Sequence, residues 1–426
     1  MVDTSVVIRT AEDAKGVRVA WSAGGTTLSE SPAISQRANT YERTARVLLL
    51  GLPAGEVIHY APYIGGQVIR DQINTFRTMP EGPSSFSFLF ASCGEARSIH
   101  PVYGEIARLG GVSREKLLEV FDASKLYGDE SDYGPQNNAL FFLHGGDFTY
   151  DDPVSGVSKS VFHASMDSQF LTPEQAVMYS GMSFIQVGDD HDLGSGPVSA
   201  GGRLSTNVRN YIDVWGRRMP IPPVEGLSRK GLHFSFTAGR LRIIVWDCTS
   251  THDPLDSLTP SSTMLGATQL AWTKAEILAA KAAGHAVFIY SPKPWIGNTG
   301  GDGWGSFPNE REEISQFISD SGMGDSVCMA NGDMHSMVYD DGTNSDYSSD
   351  GGAAIPVIVA ATIDRRSYSV KGGPWSGGTP SERNGQFGEA VITDTGGATI
   401  GVAFNGRNSA GATLFTHSFD LTTGES

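Results

Sequence analysis

Met182-Ser183-Phe184-Ile185-Gln186-Val187-Gly188-Asp189-Asp190-His191-Asp192 is the stretch from which the architecture is read. A short, mostly apolar run, of the length and character of a strand buried on both faces, meets a glycine and then three carboxylates around one imidazole. In open α/β sheets, groups that do chemistry collect just beyond the carboxyl ends of strands. Burying three like charges together is costly unless a cation compensates them. An exposed acidic turn is the plainer alternative for this segment alone.

The same pattern recurs elsewhere. Phe86 to Ala91 leads into Ser92-Cys93, and Ala139 to Leu143 leads into His144-Gly145-Gly146-Asp147-Phe148-Thr149-Tyr150. Val327 to Ala330 leads into Asn331-Gly332-Asp333-Met334-His335. Taken singly, Asp147 reads as a turn former and Tyr150 as a core tyrosine. Asp333 and His335 alternate, so on a strand end both side chains would face one side. Four strand ends bearing thiol, carboxylate, phenol and imidazole groups would converge on one crevice, and these are the donors that hold metal ions. The expected site is a two-metal phosphoesterase centre.

Away from these clusters, 426 residues exceed the usual size of a single core, so two domains are expected. Residues 1–82 read as a small all-β sandwich. Val17 to Trp21 alternates, Tyr41 to Leu50 is a longer strand, and Val57 to Ile64 follows the turn Leu52-Pro53-Ala54-Gly55. This leucine-proline-glycine turn ahead of Ile58 and Tyr60 resembles the fibronectin type III pattern. Met79-Pro80-Glu81-Gly82-Pro83 reads as the linker to a second domain, residues 83–426. There strands alternate with helices, the α/β pattern. Helices are expected over Pro101 to Leu109, Leu265 to Ala283 and Asn309 to Ile318, with strands over Ala353 to Ile363 and from Gly397 to Asp420.

A formal charge of −16 argues against a nucleic-acid backbone as the partner. Phosphorylated substrates would then be attracted by metal ions and a few local arginines. Arg203, Arg209, Arg217 and Arg218 form one basic stretch that reads as surface charge or as a phosphate contact. Cys93, Cys248 and Cys328 match neither a zinc ribbon nor a disulfide framework. No apolar run approaches the ~18–20 residues of a membrane span. Met1 to Ser5 lacks a basic segment followed by an apolar core, so no export signal is read and the compartment stays open. The acidic loop from Asp340 to Gly352 misses the EF-hand spacing and reads as a flexible, solvated loop. His144 reads as a neighbour of the site and not a ligand.

In their order along the chain, these motifs resemble the alkaline phosphatase D (PhoD-like) family of the calcineurin-like metallophosphoesterases. Ala91-Ser92-Cys93, Gly146-Asp147-Phe148-Thr149-Tyr150, Asp189-Asp190-His191-Asp192 and Gly332-Asp333-Met334-His335 each match a family motif. Asp302-Gly303-Trp304 through Glu310-Arg311 looks like the family's tryptophan-to-glutamate-arginine segment. Gly188 stands where a tryptophan is common, and Gly94 where a glutamine is common.

The resemblance implies an α/β four-layer β-sandwich flanked by helices, behind the small β-domain. It also implies a metal-dependent phosphoric ester hydrolase, an alkaline phosphatase or phosphodiesterase, acting on a small phosphomonoester or phosphodiester. Cys93, Asp147, Tyr150 and His335 would hold ferric iron (Fe3+). Asp147 would bridge to a second ion, with Asp190 and Asp333, for which calcium (Ca2+) is expected. Zinc (Zn2+) and manganese (Mn2+) are the alternatives at either position. A metal-bridging hydroxide would attack phosphorus in line, and His191 would contact a phosphoryl oxygen or protonate the leaving oxygen. The other readings are a phospholipase D-like or phosphotriester hydrolase on the same site, and a binding protein whose phosphoesterase fold has lost activity. The family is typically secreted or periplasmic.

Overall fold

The computed structural model describes residues 2–9, 17–25, 28, 39–41, 44–127, 129–133, 139–154, 156–194, 207–218, 232–297, 301–365, 372–380 and 385–423. The first strands are β1 (Val2–Arg9), β2 (Arg18–Ala23), β3 (Asn39–Tyr41), β4 (Thr44–Leu52), β5 (Val57–Ile64), β6 (Gln67–Val68) and β7 (Asn74–Arg77). One sheet runs β1-β4-β3; in the other, β2, β6 and β7 all pair with β5. Val6, Val47 and Leu49 from the first sheet meet Val19 and Ile58 from the second in one apolar cluster. This is a sandwich, as the alternating pattern implies.

The long strand expected from Tyr41 to Leu50 is corrected. Asn39–Tyr41 and Thr44–Leu52 pair antiparallel with Tyr41 opposite Thr44, so the chain reverses inside that run. The Leu52-to-Gly55 turn carries the chain from one sheet to the other. Met79 to Pro83 is bonded on both sides: Gly55 N donates to Met79 O at 3.2 Å and Gly239 N to Pro80 O at 2.9 Å.

The next strands are β8 (Phe86–Ala91), β9 (Phe142–Gly145), β10 (Phe184–Val187), β11 (Phe234–Ala238), β12 (Leu241–Val245), β13 (Ala286–Ser291) and β14 (Val327–Asn331). After them come β15 (Ser336–Asp340), β16 (Val357–Ala360), β17 (Gly377–Pro380), β18 (Gln386–Thr393), β19 (Thr399–Asn408) and β20 (Thr413–Thr422). Among the described residues they form a six-stranded sheet, β10-β9-β8-β18-β19-β20, and a seven-stranded sheet, β11-β12-β13-β14-β16-β15-β17. In the six-stranded sheet β10, β9 and β8 form a parallel half that continues into antiparallel β18, β19 and β20. In the seven-stranded sheet parallel β12, β13, β14 and β16 lie between antiparallel edges.

The two sheets stack face to face. Phe88 on β8 meets Phe288 on β13 edge-on with ring centroids 4.9 Å apart, and Phe90 and Phe404 pack beside them. Side-chain alternation sorts each strand between two cores. On β13, Ala286, Phe288 and Tyr290 face the sheet interface, while Val287 and Ile289 face the helices Gly266–Ala282 and Pro308–Asp320 through Ile277, Ile314 and Ile318. Helices Val102–Leu109 and Pro173–Gly181 pack Ile106 and Met178 into the core of the other sheet. Helix, sheet, sheet, helix is the expected four-layer α/β order. Strands buried on both faces need near-continuous apolar sequence, which is why the runs before the acidic clusters stand out.

Ala353 to Ile363 narrows to β16, and the run from Gly397 to Asp420 is the hairpin β19–β20. In the acidic loop after β15, Asp341, Thr343 and the stretch Ser349 to Gly352 are exposed, as a solvated loop implies. Asp340 is fully buried and its Oδ1 accepts from Gly342 N and Asn344 N, both at 3.0 Å, so its carboxylate is used inside the loop. No described helix is long and apolar enough to cross a membrane.

Candidate metal centre

The parallel strands of both sheets end on the same side, and the sheets are tied there. Ser92 and Ala361 form a parallel bridge between them, and Cys93 N donates to Gly146 O at 3.1 Å. Beyond these ends the backbone turns abruptly. Outside glycine, the described residues with left-handed φ are Cys93 (64°), Arg97 (56°), Asp147 (51°), Asp152 (47°), Asp333 (61°) and His335 (50°). Such conformations are unfavourable for residues with a Cβ and concentrate at functional sites. Four of the six were singled out from sequence as ligands.

Two groups of donors result. In the first, Cys93 Sγ, an oxygen of Asp147 and a nitrogen of His335 lie within 4.8 Å of one another. Tyr150 joins them: its hydroxyl donates to Asp147 Oδ2 at 2.8 Å and lies 3.0 Å from His335 Nε2. Cys93 Sγ approaches the same Asp147 oxygen at 3.6 Å. In the second, oxygens of Asp147, Asp189, Asp190 and Asp333 lie within 4.8 Å of one another. Asp147 therefore belongs to both. Asp333 and His335 do not share a side as strand alternation suggested. Both lie in the left-handed turn after β14 and diverge, one into each group.

Lys293, in the loop after β13, reaches into the second group. Its Nζ donates to Asp190 Oδ1 at 2.7 Å, Asp302 Oδ2 at 2.8 Å and Asp333 Oδ1 at 3.0 Å, and lies 3.1 Å from Asp189 Oδ1. Its side chain is only 2% exposed.

The acidic run divides its labour. Asp189 caps the short helix Asp190–Leu193 in a capping box with Asp192. Asp192 also accepts from Phe148 N at 2.9 Å and Thr149 N at 3.2 Å, so it holds the Asp147 loop and is not a ligand. His191 stands at the mouth, 28% exposed, with Nδ1 2.5 Å from Asp152 Oδ1 and its ring 4.3 Å from that of Tyr150. The guanidinium of Arg365 lies 3.5 Å from the Tyr150 ring centre and pairs with Glu95 at 3.0 Å.

Electrostatically the site gathers buried acids, with the Lys293 ammonium among the carboxylates of the second group. Burial, then neighbouring Asp147, pushes the Cys93 thiol well above its ordinary range, and the same two causes raise Tyr150. Burial and then Asp190 push Asp147 up. Burial also works against Asp190, but the Lys293 ammonium overcomes it and holds that carboxyl below its usual range. Burial opposes charge on Lys293, yet the surrounding aspartates raise it. The mixed thiol, phenol, imidazole and carboxylate set fits a ferric ion, whereas the all-oxygen set has the Lys293 ammonium bonded to Asp190 and Asp333.

Sequence reading missed Lys293, Asp302, Asp152 and Arg365 as site residues. A lysine in Ser291-Pro292-Lys293-Pro294 carries no spacing signal, and its partners come from distant segments. Of the basic stretch that reads as surface charge or a phosphate contact, the side chains of Arg217 and Arg218 lie outside the described residues. Arg203 lies outside the described residues, and Arg209 is on the exposed side of helix Asn207–Arg218. His144 is fully buried, pushed down to about 3 by burial, and packs against Phe148. The glycine at 188 has a steric reason, since a Cβ there would lie 2.7 Å from the Tyr211 ring.

Residues 182–373 match the model of the PhoD-like phosphatase family. Among solved structures, the fold is similar to one described as "Structure of PhoD", with a TM-score of 0.66 and 13% identity, covering 100% of this chain and 91% of the other. It is also similar to purple acid phosphatase PPD1 of yellow lupin (Lupinus luteus), with a TM-score of 0.57 and 12% identity, covering 99% of this chain and 72% of the other. A search of curated protein sequences finds no match. The family match over residues 182–373 agrees with the PhoD-like resemblance read from the motifs, and the two solved structures share the fold.

Proposed function

We propose that this PhoD-like hydrolase cleaves small phosphate mono- or diesters at a metal ion held by Cys93, Asp147, Tyr150 and His335. The observation that carries the reading is the convergence of Cys93 Sγ, Tyr150 OH and His335 Nε2 around Asp147 Oδ2, from segments that are far apart in sequence. Bound there, the ion would polarise a phosphoryl oxygen and acidify a water for in-line attack. Thiolate and phenolate donors favour ferric iron.

Asp147 lies in both donor groups, so its two oxygens can serve this ion and an adjacent cation position bounded by Asp190 and Asp333. His191 delivers a proton to the departing oxygen. Asp152 at Nδ1 fixes the tautomer and leaves Nε2 for substrate. Arg365, beside Tyr150 at the mouth, supplies the cationic contact for a phosphate oxygen.

The test is hydrolysis of aryl phosphate mono- and diesters by metal-replete protein. Turnover above the buffer rate is expected on at least one class. Buffer-level rates on every ester would contradict the proposal and favour a binding protein on this fold.

A further inference from the structure

The second donor group already contains a cation. Lys293 is pinned at its backbone, where Ser291 Oγ donates to Lys293 O at 2.6 Å, and its side chain is almost wholly enclosed. Its three ammonium hydrogens meet three carboxylates, Asp190 at 2.7 Å, Asp302 at 2.8 Å and Asp333 at 3.0 Å. Asp189 Oδ1 lies slightly farther, at 3.1 Å, and accepts the Thr249 hydroxyl. Every donor of the buried charge is therefore satisfied, as burial of an ammonium demands.

Asp190 and Asp333 are the carboxylates that a two-metal site would give to its second ion. We propose that the Lys293 ammonium is itself the second cation, so that the chain works with one metal ion and one built-in positive charge. This rests on the metallophosphoesterase reading above.

Three points support it. The nitrogen-to-oxygen separations are those of charge-assisted hydrogen bonds, whereas calcium takes its oxygens at about 2.3–2.6 Å. An ion bound to Asp190 Oδ1 and Asp333 Oδ1 would sit against Nζ, and two positive charges at that distance repel strongly where water is excluded. The lysine has no route to relieve this by turning into solvent, since its side chain is 2% exposed. Finally, Asp302 makes no contact with the first donor group among those described. It gains a purpose as a counter-ion of Lys293, which completes the ammonium's set of acceptors.

The functional consequence is a site whose second charge neither dissociates nor exchanges. Beside Asp147 it would stabilise charge growing on phosphoryl oxygens without a second metal-binding equilibrium. Chelation should then remove a single ion, and the dependence of activity on metal concentration should follow a single binding step.

Metal analysis of the wild-type chain, saturated with iron and with calcium and then freed of excess, tests this directly. One tightly held ion per chain is expected. Two would overturn the inference and leave the metallophosphoesterase reading standing, while none would overturn that reading and the inference with it. Calorimetric titration of Lys293→Ala with calcium should show an additional site absent from wild type and from Lys293→Arg. A folded Lys293→Ala protein that takes up no further ion would overturn the proposed occupancy. Should that variant not fold, the wild-type count decides alone.

Discussion

The Tyr150 hydroxyl donates to Asp147 Oδ2 at 2.8 Å, and Cys93 Sγ reaches that same oxygen from a different strand end at 3.6 Å. A phenol and a thiol on one buried carboxylate oxygen is a costly arrangement of acids. Burial raises all three, so each holds its proton until a cation takes its place.

Metal uptake at this group should therefore release protons and strengthen as pH rises. With ferric iron bound, thiolate and phenolate donors give charge-transfer absorption in the visible range, which zinc, with its filled d shell, does not. Tyr150→Phe should shift or weaken the band, and Cys93→Ser should change it further, both with lower iron content. A colourless, fully active protein holding only zinc, manganese or calcium would contradict the ferric assignment.

Asp147→Asn tests the shared carboxylate. The substitution keeps the size of the side chain and removes the charge that both donor groups use. Turnover should fall by roughly 10²–10³-fold or more, the scale of losing a group that stabilises developing charge. Far-ultraviolet circular dichroism should stay that of wild type, because the sheets are built on apolar strands. Near-wild-type turnover would refute the shared role.

The legible part of this site is the part carried by strand ends. Cys93, Asp147, Tyr150, Asp190 and Asp333 each follow a strand that is buried on both faces, so their clusters are flagged by the apolar run before them. His335 was legible through its neighbour Asp333. Lys293 also follows such a strand, but a single lysine between prolines is an ordinary loop residue until Asp190, Asp302 and Asp333 are seen around it. Asp152 and Arg365 are similarly defined by three-dimensional partners alone. In the fold, the α/β class followed from alternating strands and helices, while the four-layer order came only with the family resemblance. The β3–β4 reversal was hidden because the residues on both sides of it suit a strand equally well.

Glu310 predicts a pH-dependent stability. It accepts from Leu265 N at 3.0 Å and from Met264 N, tying helix Pro308–Asp320 to the start of helix Gly266–Ala282. Burial pushes its carboxyl from 4.5 up to about 6. The folded state then holds the proton more tightly than the unfolded chain. The associated stability is fully present below pH 4.5 and is lost as pH rises through about 6. Relative to Glu310→Gln, wild type should lose roughly 2 kcal/mol across that window. Urea unfolding of both proteins over this range checks it, and a constant difference between them would contradict it.

The proposed domain division at residues 82 and 83 makes a separate prediction. A chain beginning at Ser84 keeps every proposed ligand, but it loses the Gly239 N to Pro80 O bond and the Lys116 to Asn74 contact, 2.6 Å in the full chain. It also uncovers Met182 and Leu140, which line the cleft against Phe76. Metal content should match that of the full chain, with reduced solubility. A truncated protein that cannot bind metal would show that residues 1–82 are integral to the catalytic fold.

Metal dependence of phosphoester hydrolysis is the central claim, and one titration tests it most directly. Protein stripped by chelation is reconstituted stepwise with iron, and aryl phosphate turnover is measured against bound metal in the same samples. Turnover should be absent from stripped protein and rise in proportion to occupancy of the Cys93, Asp147, Tyr150 and His335 group. Turnover that survives full stripping, or that stays at the buffer rate at full occupancy, would contradict it.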